Sequence, residues 1–143
     1  MDDPCRQRAI IRGSVGAREE IRVPSLAEPI SHYTDAVRAG NLLFLSGCVP
    51  VDGDGRIVGG DDVVAQARQV FANIGAVLAA SGAGFNDVVK VTVYLVDIAD
   101  RAAVNPVRKE VFGATRPAST LVEVRALAVP RAKLEVEAVA LVP

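Results

Sequence analysis

The segment LEVEAV, residues 134–139, puts Glu135 and Glu137 on one side of a stretch whose other side is Leu134, Val136 and Ala138. In an extended chain successive side chains alternate between faces, so the two carboxyl groups share theirs with Val139. Burial among apolar neighbours raises a carboxyl pKa toward the proton-transfer range, which would equip the pair for acid–base chemistry. The alternative is a solvated face or a strand edge. Tyr33 follows Ile30-Ser31-His32 and precedes the first clear apolar run, so its ring can lean over the end of that run or simply pack at its rim. Ser46-Gly47 closes the run NLLFLSG, where a hydroxyl or a backbone N–H can face a cavity.

Other residues carry weaker chemistry. Cys48 has no basic partner nearby in sequence and reads as a small packed side chain rather than a nucleophile. Asn105, just before Pro106, reads first as a helix cap. RPAST, residues 116–120, sets one arginine and the adjacent hydroxyls of Ser119 and Thr120 at the mouth of an apolar run. That corner is either an anion-holding site or an ordinary turn into a strand. The sole histidine, His32, excludes metal sites that need two imidazoles, and no metal is expected. Cys5 and Cys48 form no CxxC, which fits a reducing, cytoplasmic setting.

The elements that must hold these residues are legible from periodicity. Residues 41–47 read as a buried strand, followed by a Gly- and Asp-rich loop in which Asp61 or Asp62 can cap a helix. Val63, Ala67, Val70, Phe71, Ile74 and Val77 recur at helical spacing, and Ser81-Gly82 closes that helix. Val89, Val91, Val93 and Leu95 alternate with polar residues as a half-buried strand. A second helix spans roughly Asp100 to Phe112 with Pro106 in its first turn. Strands over 120–127 and 133–142, joined at Val129-Pro130, end the chain. The order β-β-α-β-α-β-β implies an α+β domain with two helices on one face of a mixed sheet. The other face needs cover, most economically from a neighbouring subunit.

Residues 1–20 are charged, lack a continuous apolar stretch and read as a loose tail rather than a secretory signal, leaving 21–143 as one domain. The 16 Lys and Arg balance 17 Asp and Glu without any block of like charge, so neither a nucleic-acid groove nor a membrane partner is expected. Aromatics make up only 4%, which leaves little surface for stacking on bases.

Taken together, HYTDAVRAGNLLFLSGCVPVD, QARQVF, DVVKVTVYLVD, VNPV, RPAST and KLEVEAVA resemble the Rid family, the reactive-intermediate imine deaminases also called YjgF-like or RidA proteins. The resemblance covers residues 30–142 and implies a chorismate-mutase-like subunit, a homotrimer and small-molecule clefts between subunits. Deaminases of the family hydrolyse enamines and imines such as 2-aminoacrylate to 2-keto acids and ammonia without a cofactor. The resemblance assigns Glu135 to positioning the attacking water and Tyr33, Ser46, Gly47 and Asn105 to the cleft. It also exposes a departure. Active members read Pro-Ala-Arg-Ser at the corner, and that arginine grips the substrate carboxylate, whereas here Ser119 follows Pro117-Ala118. Arg116 starts roughly 10 Å from Ser119 along an extended chain and Arg125 roughly 20 Å away, so neither replaces the clamp. The expectation is an imine hydrolase of altered specificity, with Ser119 and Thr120 hydrogen-bonding the substrate. A trimer that binds a small ligand without turnover is the alternative. A ribonuclease or translation-inhibitor role is disfavoured by the balanced charge, the single histidine and the few aromatics.

Overall fold

The computed structural model describes residues 17–143; residues 1–16, with Cys5 and most of the expected tail, lie outside the described residues. The elements are β1 (Arg18–Ile21), β2 (Ala36–Ala39), β3 (Leu42–Cys48), α1 (Val63–Ala80), β4 (Val88–Leu95), α2 (Arg101–Phe112), β5 (Ala118–Glu123) and β6 (Leu134–Leu141). The six strands lie in the order β1-β2-β3-β6-β4-β5, antiparallel throughout except for the parallel pair β4 and β5. The architecture is the expected α+β one, a mixed sheet with two helices.

Alternation decides which face of the sheet the helices cover. Leu43 and Leu45 of β3, Val91, Val93 and Leu95 of β4, and Leu134, Val136, Ala138 and Ala140 of β6 are all buried. They meet the α1 stripe of Val70, Phe71, Ile74, Val77 and Leu78. Each fully buried Leu, Ile, Val or Phe contributes roughly 1.5–3 kcal/mol of transfer free energy, so this layer supplies most of the driving force. Phe71, Phe85 and Phe112 close the core between the two helices, edge to face, with centroids 5.5 to 6.5 Å apart. By length and composition α1 is apolar enough to cross a membrane, but its apolar stripe is the helical wall of this core. Asp62 caps its start, accepting the Val64 and Ala65 N–H groups at 2.9 and 3.3 Å.

Four local expectations need correction. The order gains a strand, because Arg18–Ile21 pairs with β2 and places Glu19 opposite Arg38. Arg22 then pins the chain, donating to Asp35 at 2.7 Å and to the Leu26 and Ala27 carbonyls at 3.0 and 3.1 Å. Paired charges order a segment that has no apolar pattern. In β4 the register shifts between Val88 and Lys90, so Val88 rather than Val89 joins the core and Val89 turns outward. Asp97 caps a 3-10 turn over Ile98–Asp100, and α2 starts from that turn, before the proline. Pro106 therefore lies inside the helix, and Asn105 is exposed within it and caps nothing. Finally, β5 stops at Glu123. Because β5 is an edge strand and β6 lies between β3 and β4, residues 124–133 cross between non-neighbouring strands.

That crossing is held by Gln66, the one buried polar side chain among the described residues. Its amide donates to the Gly60 and Arg131 carbonyls at 2.7 and 3.1 Å and accepts the Lys133 N–H at 2.7 Å. Lys133 directly precedes β6, so Gln66 sets the entry of the strand that bears Glu135. Gln66→Leu keeps the volume and leaves three buried backbone groups unmatched. It should destabilise the fold by about 2–4 kcal/mol, read as a lower urea midpoint at unchanged slope.

Candidate functional site

Glu135 is placed by a missing side chain. Opposite β6, the register of β3 slips between Leu45 and Cys48, leaving Ser46-Gly47 as a bulge. A Cβ built at Gly47 would lie 2.0 Å from Glu135 Oε1 and 2.8 Å from Cδ. The carboxyl group therefore occupies the space that any other residue at 47 would fill. Burial raises the Glu135 pKa above the ordinary carboxylate value, and the nearby charge of Glu137 raises it further. Among the described residues the Glu135 side chain takes part in no hydrogen bond, whereas Glu137 accepts the Tyr94 O–H at 2.6 Å. The two carboxylates thus divide: one is tied down, and the other is free to handle a proton.

Beside this carboxyl opens a cleft of about 290 Å³, lined in part by Tyr33, Asp35, Ser46, Gly47, Cys48 and Asn73. Three residues expected at a site meet here: Tyr33, Ser46 and Gly47. Glu135 stands against Gly47 without itself lining the cleft. The Ser46 hydroxyl is already committed, donating to the Thr34 carbonyl at 2.5 Å, and so holds the segment that carries the half-exposed Tyr33 ring. Asn73 reaches from α1 to donate to the Val49 and Val51 carbonyls at 3.1 and 3.0 Å, shaping the floor. Cys48 keeps some surface, yet burial pushes its thiol up to about 12, with Asp35 and Glu135 adding to the shift. A thiol that stays protonated is part of the wall, not a nucleophile.

The remaining expected residues form no part of this cleft. In the parallel pair Ser119 lies beside Val91 and Thr120 beside Thr92, so the two hydroxyls sit on opposite faces of the edge strand. Thr120 accepts the Lys90 ammonium at 2.7 Å on the face that carries Tyr94 and the two glutamates. Ser119 lies on the helix side, where its Oγ accepts a hydrogen bond from an Arg108 guanidinium N–H at 2.7 Å. The corner that lacks an arginine at 119 therefore has one delivered from α2. Neither Arg116 nor Arg125 provides it. Arg108 leaves no trace in the strand pattern; its one sequence signal is the spacing to Asn105, about one helical turn away on the same face. Among the described residues no three His, Cys, Asp or Glu side chains group to hold a metal.

Two outcomes test this geometry. Because the folded pKa of Glu135 is raised, its contribution to stability is complete below the ordinary carboxyl pKa and is lost as pH rises through the folded value. Glu135→Gln removes that loss. The variant should match the wild type in acid and be the more stable protein at neutral pH, as measured by thermal melts across pH. Gly47→Ala should evict the carboxyl and bring its pKa back toward the ordinary range, as followed by carboxyl-carbon NMR titration.

Comparison with known proteins identifies the family and the fold. The Endoribonuclease L-PSP family profile matches residues 24–142. A RutC family protein of Pyrococcus horikoshii is 46% identical over 125 residues, which cover 86% of this chain and 97% of that one. A mouse protein named 2-iminobutanoate/2-iminopropanoate deaminase is 38% identical, covering 86% of this chain and 90% of its own. The solved structure of YyfA from Yersinia pestis, described as a Rid family protein of unknown function, superposes with a TM-score of 0.83 at 34% identity, covering 88% of this chain and all of that one. Across nearly the whole described chain, backbone and sequence agree: the protein belongs to the Endoribonuclease L-PSP family, which is the Rid, or YjgF/RidA, family.

Proposed function

We propose that this chain is a cofactor-independent hydrolase of small imines, releasing ammonia and a carbonyl product from a cleft completed by a second copy of itself. The observation that carries the reading is the half-buried, unbonded Glu135 carboxyl folded onto Gly47 beside the cleft under Tyr33. The deaminase name of the mouse relative supports the same reaction class.

The chemistry asks little of the protein. A protonated imine carbon is already electrophilic, so orientation of water and one proton acceptor supply most of what the step needs. Water oxygen bonds to that carbon while the C=N π pair moves onto nitrogen, and the water proton passes to ionised Glu135. Glu135 returns that proton to the amine, takes the hydroxyl proton as the C–N bond breaks and the carbonyl forms, and hands it to the departing ammonia, which leaves as ammonium. Glu135 ends as it began. A raised pKa suits a group that must both take and return a proton near neutrality.

A homotrimer supplies what one protomer lacks. The sheet face away from the helices exposes Phe44, Val122 and Leu141 around the Tyr94–Glu137 and Lys90–Thr120 pairs. Such an apolar surface with satisfied polar pairs suits burial against another copy. Glu135 and Ser119 also lie on opposite faces of one sheet, so a small molecule that touches both corners needs them from different protomers.

The test is ammonia release from imines generated in situ by an amino-acid oxidase, together with the mass in solution. The wild type should accelerate release and run at three times the 15.0 kDa chain. Glu135→Gln should lose at least about a hundredfold in rate while remaining trimeric. A wild-type protein that accelerates no acidic, neutral or aromatic imine yet still binds a small ligand would leave the binding-protein alternative in its place.

A further inference from the structure

Glu135 shares its face of the sheet with a second carboxyl and a phenol. The β4–β6 register sets Tyr94 opposite Glu135 and Thr92 opposite Glu137. The half-buried Tyr94 side chain leans along the strand, past its own partner, and donates its O–H to Glu137 Oε1 at 2.6 Å. That length is typical of a hydroxyl bonded to a charged carboxylate. Among the described residues it is the only side-chain hydrogen bond of Glu137, and Glu135 has none.

The other titratable and charged groups around the pair are committed elsewhere or stay neutral. From the β3 side come the protonated Cys48 thiol and Asp35, which accepts from Arg22 and from the Val23 N–H. From β4 comes Lys90, which lies further along the strand and donates to Thr120. Tyr33 stands at the cleft, and the helices cover the opposite face. No cation is among the groups that shift Glu135; burial acts first and Glu137 second. The bond to Glu137 also raises the Tyr94 pKa, ahead of burial, so the phenol keeps its proton and remains a donor.

Two carboxyls on one face repel when both are ionised, so a proton shared between them settles on the one whose charged form is less well held. Tyr94 holds Glu137 and leaves Glu135 alone. We propose that Tyr94 is a positioning residue for the hydrolysis: by keeping Glu137 in its charged form, it directs the shared proton onto Glu135. The proposal rests on the imine-hydrolase reading and adds what keeps the base of that site strong. No proton leaves Tyr94; the moving protons are those that Glu135 takes up and returns.

The test is carboxyl-carbon NMR titration of the wild type, Tyr94→Phe and Glu137→Gln, with the kcat–pH profile beside it. Tyr94→Phe removes one oxygen and keeps the ring, and Glu137→Gln removes the charge while keeping an acceptor for the phenol. In Tyr94→Phe the Glu135 midpoint should fall, because Glu137 now takes part of the proton. In Glu137→Gln it should fall because the neighbouring charge is gone. With an imine generated in situ, both variants should move the acid limb of kcat to lower pH. Each should also lose about threefold to tenfold at the plateau, as a weaker base does. Thermal melts and the mass in solution should match the wild type. A Glu135 midpoint that does not move in Tyr94→Phe overturns the proposal, whatever Glu137→Gln does, and leaves the hydrolase intact if ammonia is still released. Midpoints that fall in both variants of a protein that hydrolyses no imine would retain the proton assignment and discard the hydrolase.

Discussion

The close approach of Glu135 to Gly47 is the constraint around which the rest of the site is arranged. A Cβ at residue 47 would fall 2.0 Å from a carboxylate oxygen, well inside any tolerable contact. Glycine here answers a question of space, since its backbone is not in the left-handed region. The bulge at Ser46-Gly47 contributes the second half of the arrangement. Two residues of β3 span the place of one on β6, so the strand bends where the cleft opens. A regular ladder would have kept the glutamate among cross-strand neighbours, fully hydrated on a flat face.

Polar anchors keep this corner from drifting. Arg22 gathers Asp35 and the carbonyls of Leu26 and Ala27 at the near rim of the cleft, and its guanidinium pKa is raised chiefly by the hydrogen bond to Asp35. Gln66 fixes the far rim, where residues 128–130 line the cleft and Lys133 begins the approach to β6. Both anchors are side chains bonded to backbone, the kind of contact that stays costly to break because the partner groups have no other donor or acceptor. The core supplies stability without detail. These few bonds decide where the rims of the cleft stand.

The same division explains what the sequence disclosed. The α1 stripe and the alternation in β6 were legible because apolar burial imposes a period on residue types, and the α+β fold followed from their order. The carboxylate pair was legible for the same reason, since Glu135 and Glu137 interrupt one face of an apolar strand. β1 was hidden, because REEI is ordered by charge pairing and by the Arg22 anchor, neither of which leaves a periodic trace. The outward turn of Val89 depends on a register slip with β6, a relation between two strands far apart in sequence. Arg108 was hidden by topology. Its partner Ser119 is eleven residues on, beyond the end of α2, and only the packing of that helix against the edge strand brings them together.

The sheet also keeps opposite charges apart. Glu135 is shifted upward first by burial and then by Glu137, with no cation among the causes. Had Arg108 stood on the same face, its field would have pulled that carboxyl down and left a weak base beside the cleft. On opposite faces of one protomer's strand layer, the two charges stay apart and the acid keeps its affinity for a proton. An arginine carried on α2 and hydrogen-bonded to the Ser119 hydroxyl gives this corner a charge from outside the strand, one that residue 119 itself does not carry.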